Sequence, residues 1–197
     1  MNAPQKLLID NSVRSLAITM DYARQPFSLD VGGSPMTGEV VGMKRRRVDD
    51  WKSKQLSALP TIVHLVSDGK IQFFSYGELR NEAWNRPGSF PGEVMGNLLA
   101  GVQISEVPDA ICRTRLFSSN FKETKAEMID FCRWLLSLNQ RGVKKLGGLP
   151  FTDFEMENFR GLDRFREICK AVHSKHYPDA FHFWTAEVNG MDFFLRA

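Results

Sequence analysis

The 197-residue sequence predicts an α/β fold of three layers, a central parallel sheet with helices on both faces. Two short apolar runs, "KLLID" at 6–10 and "KIQFFS" at 70–75, read as central strands because they are apolar on both faces of the pleat. The second passes at once into "YGELRNEAW", rich in helix formers, and a third run, "VQISEV" at 102–107, follows another predicted helix around "EVMGNLLAG". Strands that alternate with helices in this way make parallel pairs.

The remaining elements follow in order. "KETKAEMIDFCRWLLSLN" places Ala126, Ile129, Cys132 or Trp134, and Leu136 near a helical period, and "FRGLDRFREICKAVHSK" predicts a further helix, with the stretch 142–155 as a loop between them. The chain closes with a helix over 179–188, a turn at Asn189-Gly190 and an apolar strand over 191–195. Residues 16–60 do not fit this alternation. "SLAITMDY" alternates like a strand but suits a first helix as well, and "DVGGSPMTGEVVGM" reads as a turn followed by a strand. The expectation is therefore one domain over 1–197, with an insertion over 16–60 that contains a β-hairpin.

Bulk composition narrows the function. Hydrophobic residues make up 43% of the chain, enough for a full core, and the net charge of +3 permits an anionic partner without requiring one. Three cysteines without CxxC spacing argue against a disulfide framework and for a reducing compartment, with the cytoplasm expected. No apolar stretch is long enough for a signal peptide or a membrane span. The glycines of "VGGSPMTGEVVG" match neither a Walker loop nor a dinucleotide fingerprint, which removes two nucleotide-binding classes.

In an open parallel sheet, ligands collect beyond the carboxyl ends of the strands. Asp10 falls at such an end, Glu78 and Glu82 lie four residues apart on one face of the helix after the second strand, and Asp179 opens the terminal helix with His182 a turn beyond it. Converging carboxylates repel unless a cation sits between them, and hard oxygen donors select Mg²⁺ or Mn²⁺. Such an ion suits the hydrolysis of phosphodiesters. Each acid also has an ordinary reading: Asp10 as a turn residue, Asp179 as an N-cap, the glutamates as parts of an exposed helical face.

At these residues the chain resembles the PIN-domain ribonucleases. "LLIDNSV" is similar to the family's opening strand with its acid and a small polar residue two positions on, here Asp10 and Ser12. "FFSYGELRNEAW" resembles the second strand and the helix bearing the family's glutamate; spacing from Ser75 favours Glu82, with Glu78 as its rival. "DAFHFWTAEVNGMDFFLRA" resembles the family's Asp-x-x-His helix, glycine turn and apolar strand. The resemblance covers about a third of the chain. It implies an endoribonuclease with Asp10, Glu82 and Asp179 holding Mg²⁺ or Mn²⁺, and Ser12, His182 and Glu78 beside them. It implies a further acid directly after Ala197 as well. Two other roles remain open on the same resemblance: a non-catalytic scaffold for RNA or a protein partner, and a toxin restrained by an antitoxin.

Two further clusters stand out. "MKRRRVDDWKSK" brings Lys44, Arg45, Arg46 and Arg47 beside Trp51, a pattern suited to phosphates and a stacked base, or equally to a solvated loop. Arg113 and Arg115 form a second basic candidate for guiding RNA. Cys169, His173 and His176 fall at i, i+4 and i+7 on the predicted helix, a spacing that allows zinc, although a buried cysteine with two ordinary histidines accounts for it equally.

Overall fold

The computed structural model describes residues 3–84, 96–116 and 124–197. Within them the chain is a mixed α/β fold with one four-stranded parallel sheet, a separate two-stranded ribbon and, among the described residues, eight α-helices. Strands β1 (Gln5–Ile9), β4 (Ile71–Ser75), β5 (Ile104–Glu106) and β6 (Phe193–Leu195) form the sheet in the order β5-β4-β1-β6. Every neighbouring pair in it is parallel.

The two apolar runs are central for the reason the sequence suggests. In β1, Leu8 faces one hydrophobic cluster while Leu7 and Ile9 face the other, all three buried. The first cluster also takes Phe131, Phe159, Phe165, Phe181 and Trp184 from helices α4 (Lys125–Ser137), α6 (Asp153–Arg160), α7 (Leu162–Lys170) and α8 (Tyr177–Val188). The second takes Val13 from α1 (Asn11–Leu16) and Leu59 from α2 (Asp50–Ser67). With side chains buried on both faces, the sheet is compatible with a three-layer arrangement.

The segment between β1 and β4 divides into parts with different roles. A short α1 leads into the antiparallel ribbon of β2 (Met20–Val31) and β3 (Ser34–Arg45), so the two readings of "SLAITMDY" apply to successive residues. The ribbon turns at Gly32 and Gly33, whose φ angles of 63° and 84° suit the two-residue turn that a twisted hairpin favours. Helix α2 is an addition to the sequence reading. Asp49 caps it by accepting from the Lys52 amide at 2.8 Å, and its apolar side packs on the sheet. Pro60 within it hid the helix from a propensity reading.

Three other expectations change. The described part of the helix expected around 93–101, from Gly96 onward, is a set of turns with an Ile18–Asn97 bridge; residues 93–95 lie outside the described residues. The loop expected over 142–155 instead carries most of α5 (Gln140–Leu146), capped by Asn139, and the start of α6, opened by a reciprocal Thr152–Glu155 capping box. The single helix expected over 159–175 is broken at Gly161 and again after Lys170. This second break separates the zinc candidates: Cys169 is buried in the core, the His173 ring accepts from the Lys175 amide, and His176 bonds Asp179. They share no face.

Candidate functional site

Four stretches distant in sequence meet beyond the carboxyl ends of β1 and β6. Asp10 follows β1 directly, and its backbone N–H donates to the Leu195 carbonyl at 2.9 Å, tying it to β6. Its carboxylate accepts from the Asn11 amide at 2.7 Å, which caps α1, and from the Ser12 hydroxyl at 2.6 Å. The Ala197 amide in turn donates to Ser12 Oγ at 3.0 Å. Ser12 thus fixes one oxygen of Asp10 while joining it to the residue after the terminal strand.

Asp179 lies in the first turn of α8, although His176, not Asp179, occupies the N-cap position. Its Oδ2 accepts from Arg196 Nη1 at 2.8 Å and stands 3.1 Å from His176 Nδ1. Burial pushes the Asp179 carboxyl up, but the bonds from Arg196 and His176 outweigh it and hold the group below its ordinary value. The same bond to Asp179 raises the Arg196 guanidinium. Arg196 Nε is 4.0 Å from Asp10, so one cation faces both aspartates.

The sign of that depressed carboxyl sets an acid-side expectation. Asp179 supplies stability that is complete above the ordinary aspartate value of about 3.9 and is lost as pH falls through the lower folded value. Thermal midpoints of the wild type and Asp179→Asn should therefore converge as pH is lowered from about 5 to about 2. A gap that does not change with pH would contradict this role.

Glu82, on α3 (Gly77–Trp84), places one carboxylate oxygen 3.2 Å from His182 Nε2 and the other 3.5 Å from the Asn11 side-chain amide. The Tyr76 hydroxyl meets the other His182 ring nitrogen, and both residues are buried. Burial, helped by the nearby Glu78 charge, pushes the Tyr76 hydroxyl well above its ordinary value and keeps it a donor. With Tyr76 donating to Nδ1, the Nε2 hydrogen points to Glu82. His182 is a support for the glutamate.

Glu78 goes elsewhere. It is 5% exposed and its carboxylate receives Arg113 Nε at 3.1 and 3.4 Å, while its amide donates to Asp109. Arg113 is equally buried, so neither residue faces a substrate. Arg115 is half exposed but pairs with the buried Glu155 at 3.0 Å and donates to the Pro150 carbonyl at 2.6 Å. Of the two arginines expected to guide RNA, Arg113 therefore braces the interior and Arg115 is tied from the surface to a buried acid, whereas Lys44, Arg45, Arg46 and Arg47 are all exposed where the hairpin returns to the core. Asp192 accepts from the Lys6 amide at 2.7 Å, at the start of β1 and away from Asp10.

Among the described residues no group of three His, Cys, Asp or Glu side chains stands close enough to share one metal ion. The donor set nevertheless fits a hard divalent cation chemically: Asp10 and Asp179 already share one positive charge, and Glu82 adds to the field at the same guanidinium. Asn11, Tyr76 and Arg196 were missed by sequence reasoning, and His176 was weighed only as a zinc ligand. Asn11, Tyr76 and Arg196 each lie within two residues of a strand end, which is the signal that was available; the bridging of two remote acids by Arg196 carried none. No helix of the described residues is long and apolar enough to cross a membrane. Neither a family model, nor a curated protein, nor a solved structure matches the chain.

Proposed function

We propose that this protein is a metal-dependent endoribonuclease with a PIN-like three-layer α/β/α core. The observation that carries the reading is the single Arg196 guanidinium facing both Asp10 and Asp179, with Glu82 near enough to add to its charge environment, beyond the carboxyl ends of a parallel sheet where ligands collect. The motif resemblance of the same three acids to PIN-domain ribonucleases supports it independently of the geometry.

Asp10, Glu82 and Asp179 would hold Mg²⁺ or Mn²⁺, which when bound supplies a Lewis acid for the phosphodiester and an acidified water for its hydrolysis. The chain's own residues prepare that site. Ser12 fixes Asp10, the Tyr76–His182 pair and Asn11 orient Glu82, and Arg196 balances the aspartates in their present arrangement. Arg196 must give up part of that pairing for the aspartates to serve an ion.

The same pairing favours a second reading, a non-catalytic scaffold for RNA or a protein, in which Arg196 holds the acids permanently. Cleavage separates the two. An end-labelled single-stranded RNA should be cut in Mn²⁺ and left intact in EDTA; an uncut RNA in both favours the scaffold.

A further inference from the structure

Beside the acids lies a second concavity, made where the hairpin rejoins the core. It has a volume of about 370 Å³, and its lining includes Ser12, Ser15, Arg46, Arg47, Asp49 and Lys52. Arg46 is held there at two points: its backbone N–H donates to the Thr19 carbonyl at 2.8 Å and its Nη1 to the Ser15 carbonyl at 2.8 Å. Among the described residues that line it, which include Ala197, Asp49 is the one acidic side chain. Its carboxylate is engaged in capping α2 at the Lys52 amide and pairing with Lys52 Nζ at 3.5 Å. Three cations against one acid leave the pocket positive.

Ser12 belongs to both places, since its hydroxyl donates to Asp10 and its side also lines this pocket. A single strand crossing the acidic crevice carries a phosphate at every nucleotide, and neighbouring phosphates are repelled by the carboxylates unless they meet positive charge. We propose that this pocket binds the backbone phosphate adjacent to the one at the acids, and that its ligand is single-stranded RNA. The inference rests on the proposed nuclease reading for its orientation relative to the acids. An acidic peptide is the less suitable occupant, because nothing about it requires the cations to stand beside a carboxylate cluster.

The test is equilibrium binding of a fluorescent oligouridine RNA, in EDTA, across a range of salt. Arg47→Ala/Lys52→Ala should weaken binding roughly tenfold, on the scale of one charged hydrogen bond. It should also reduce the slope of log K against log salt by about 0.7 for each phosphate no longer neutralised. Arg47→Ala alone leaves the Asp49–Lys52 ion pair in place and should give a smaller change in the same direction. Lys144→Ala/Lys145→Ala, the same charge loss on α5, should leave the slope at the wild-type value.

A pocket variant that matches this control overturns the proposal, as does a pocket that takes polyglutamate and leaves RNA binding unchanged when mutated. The two readings fail separately. A binding difference without Mn²⁺-dependent cleavage sinks the nuclease and leaves the subsite; cleavage without a binding difference does the reverse.

Discussion

Arg113→Ala is expected to cost about 3–5 kcal/mol of folding stability, the range for breaking a buried ion pair by removing one partner. The side chains of Arg113 and Glu78 are only 5% and 6% exposed, so neither charge can turn to water when the other is lost. The arginine also fastens the turn after β5 to the first turn of α3, beside the bond from the Glu78 amide to Asp109. Replacing both residues by apolar ones of similar volume, Glu78→Leu with Arg113→Met, should recover most of the loss, because the penalty lies in the uncompensated charge. Urea denaturation of the two proteins checks this. A cost below about 1 kcal/mol for Arg113→Ala, the level of an exposed pair, would contradict the placement of Glu78 in the interior.

Asp10→Asn should lower Mn²⁺-dependent RNA cleavage by more than about a hundredfold, since loss of a residue that merely supports a ligand already costs ten- to a hundredfold. Asparagine keeps the size of the side chain and one oxygen, and can still cap α1 through the Asn11 amide, so the fold should survive. What disappears is the negative charge that Ser12 orients and Arg196 now faces. Ser12→Ala removes the orientation and the bond from the Ala197 amide but keeps the charge, and should fall within the smaller, supporting range. Full activity in Asp10→Asn would mean that Asp10 acts by capping alone.

These two expectations also show where sequence reasoning stops. The central strands were legible because runs such as "LLI" and "IQFF" are mostly apolar, Gln72 alone being exposed, and the terminal helix was legible from its Pro178 start and Asn189-Gly190 stop. Spacing put Glu78 and Glu82 on one side of α3, yet one ends at Arg113 and the other at His182. Residues four apart share a face but sit a full turn apart along the axis, so different neighbours meet them. Those neighbours come from 35 and 100 residues away, and no local pattern announces them. Arg113 and Arg115 show the same limit from the other side. A basic cluster in sequence says nothing of whether buried carboxylates wait for it.

The claim on which the functional account depends is that the acids at the carboxyl edge of the sheet carry phosphodiester chemistry. The most direct measurement is cleavage of an end-labelled, mixed-sequence single-stranded RNA in Mn²⁺ and in EDTA, with wild type and Asp10→Asn side by side. Fragments are expected from the wild type in Mn²⁺ alone, and none from the variant. Cleavage that persists in EDTA, or that the variant retains in full, would contradict the claim.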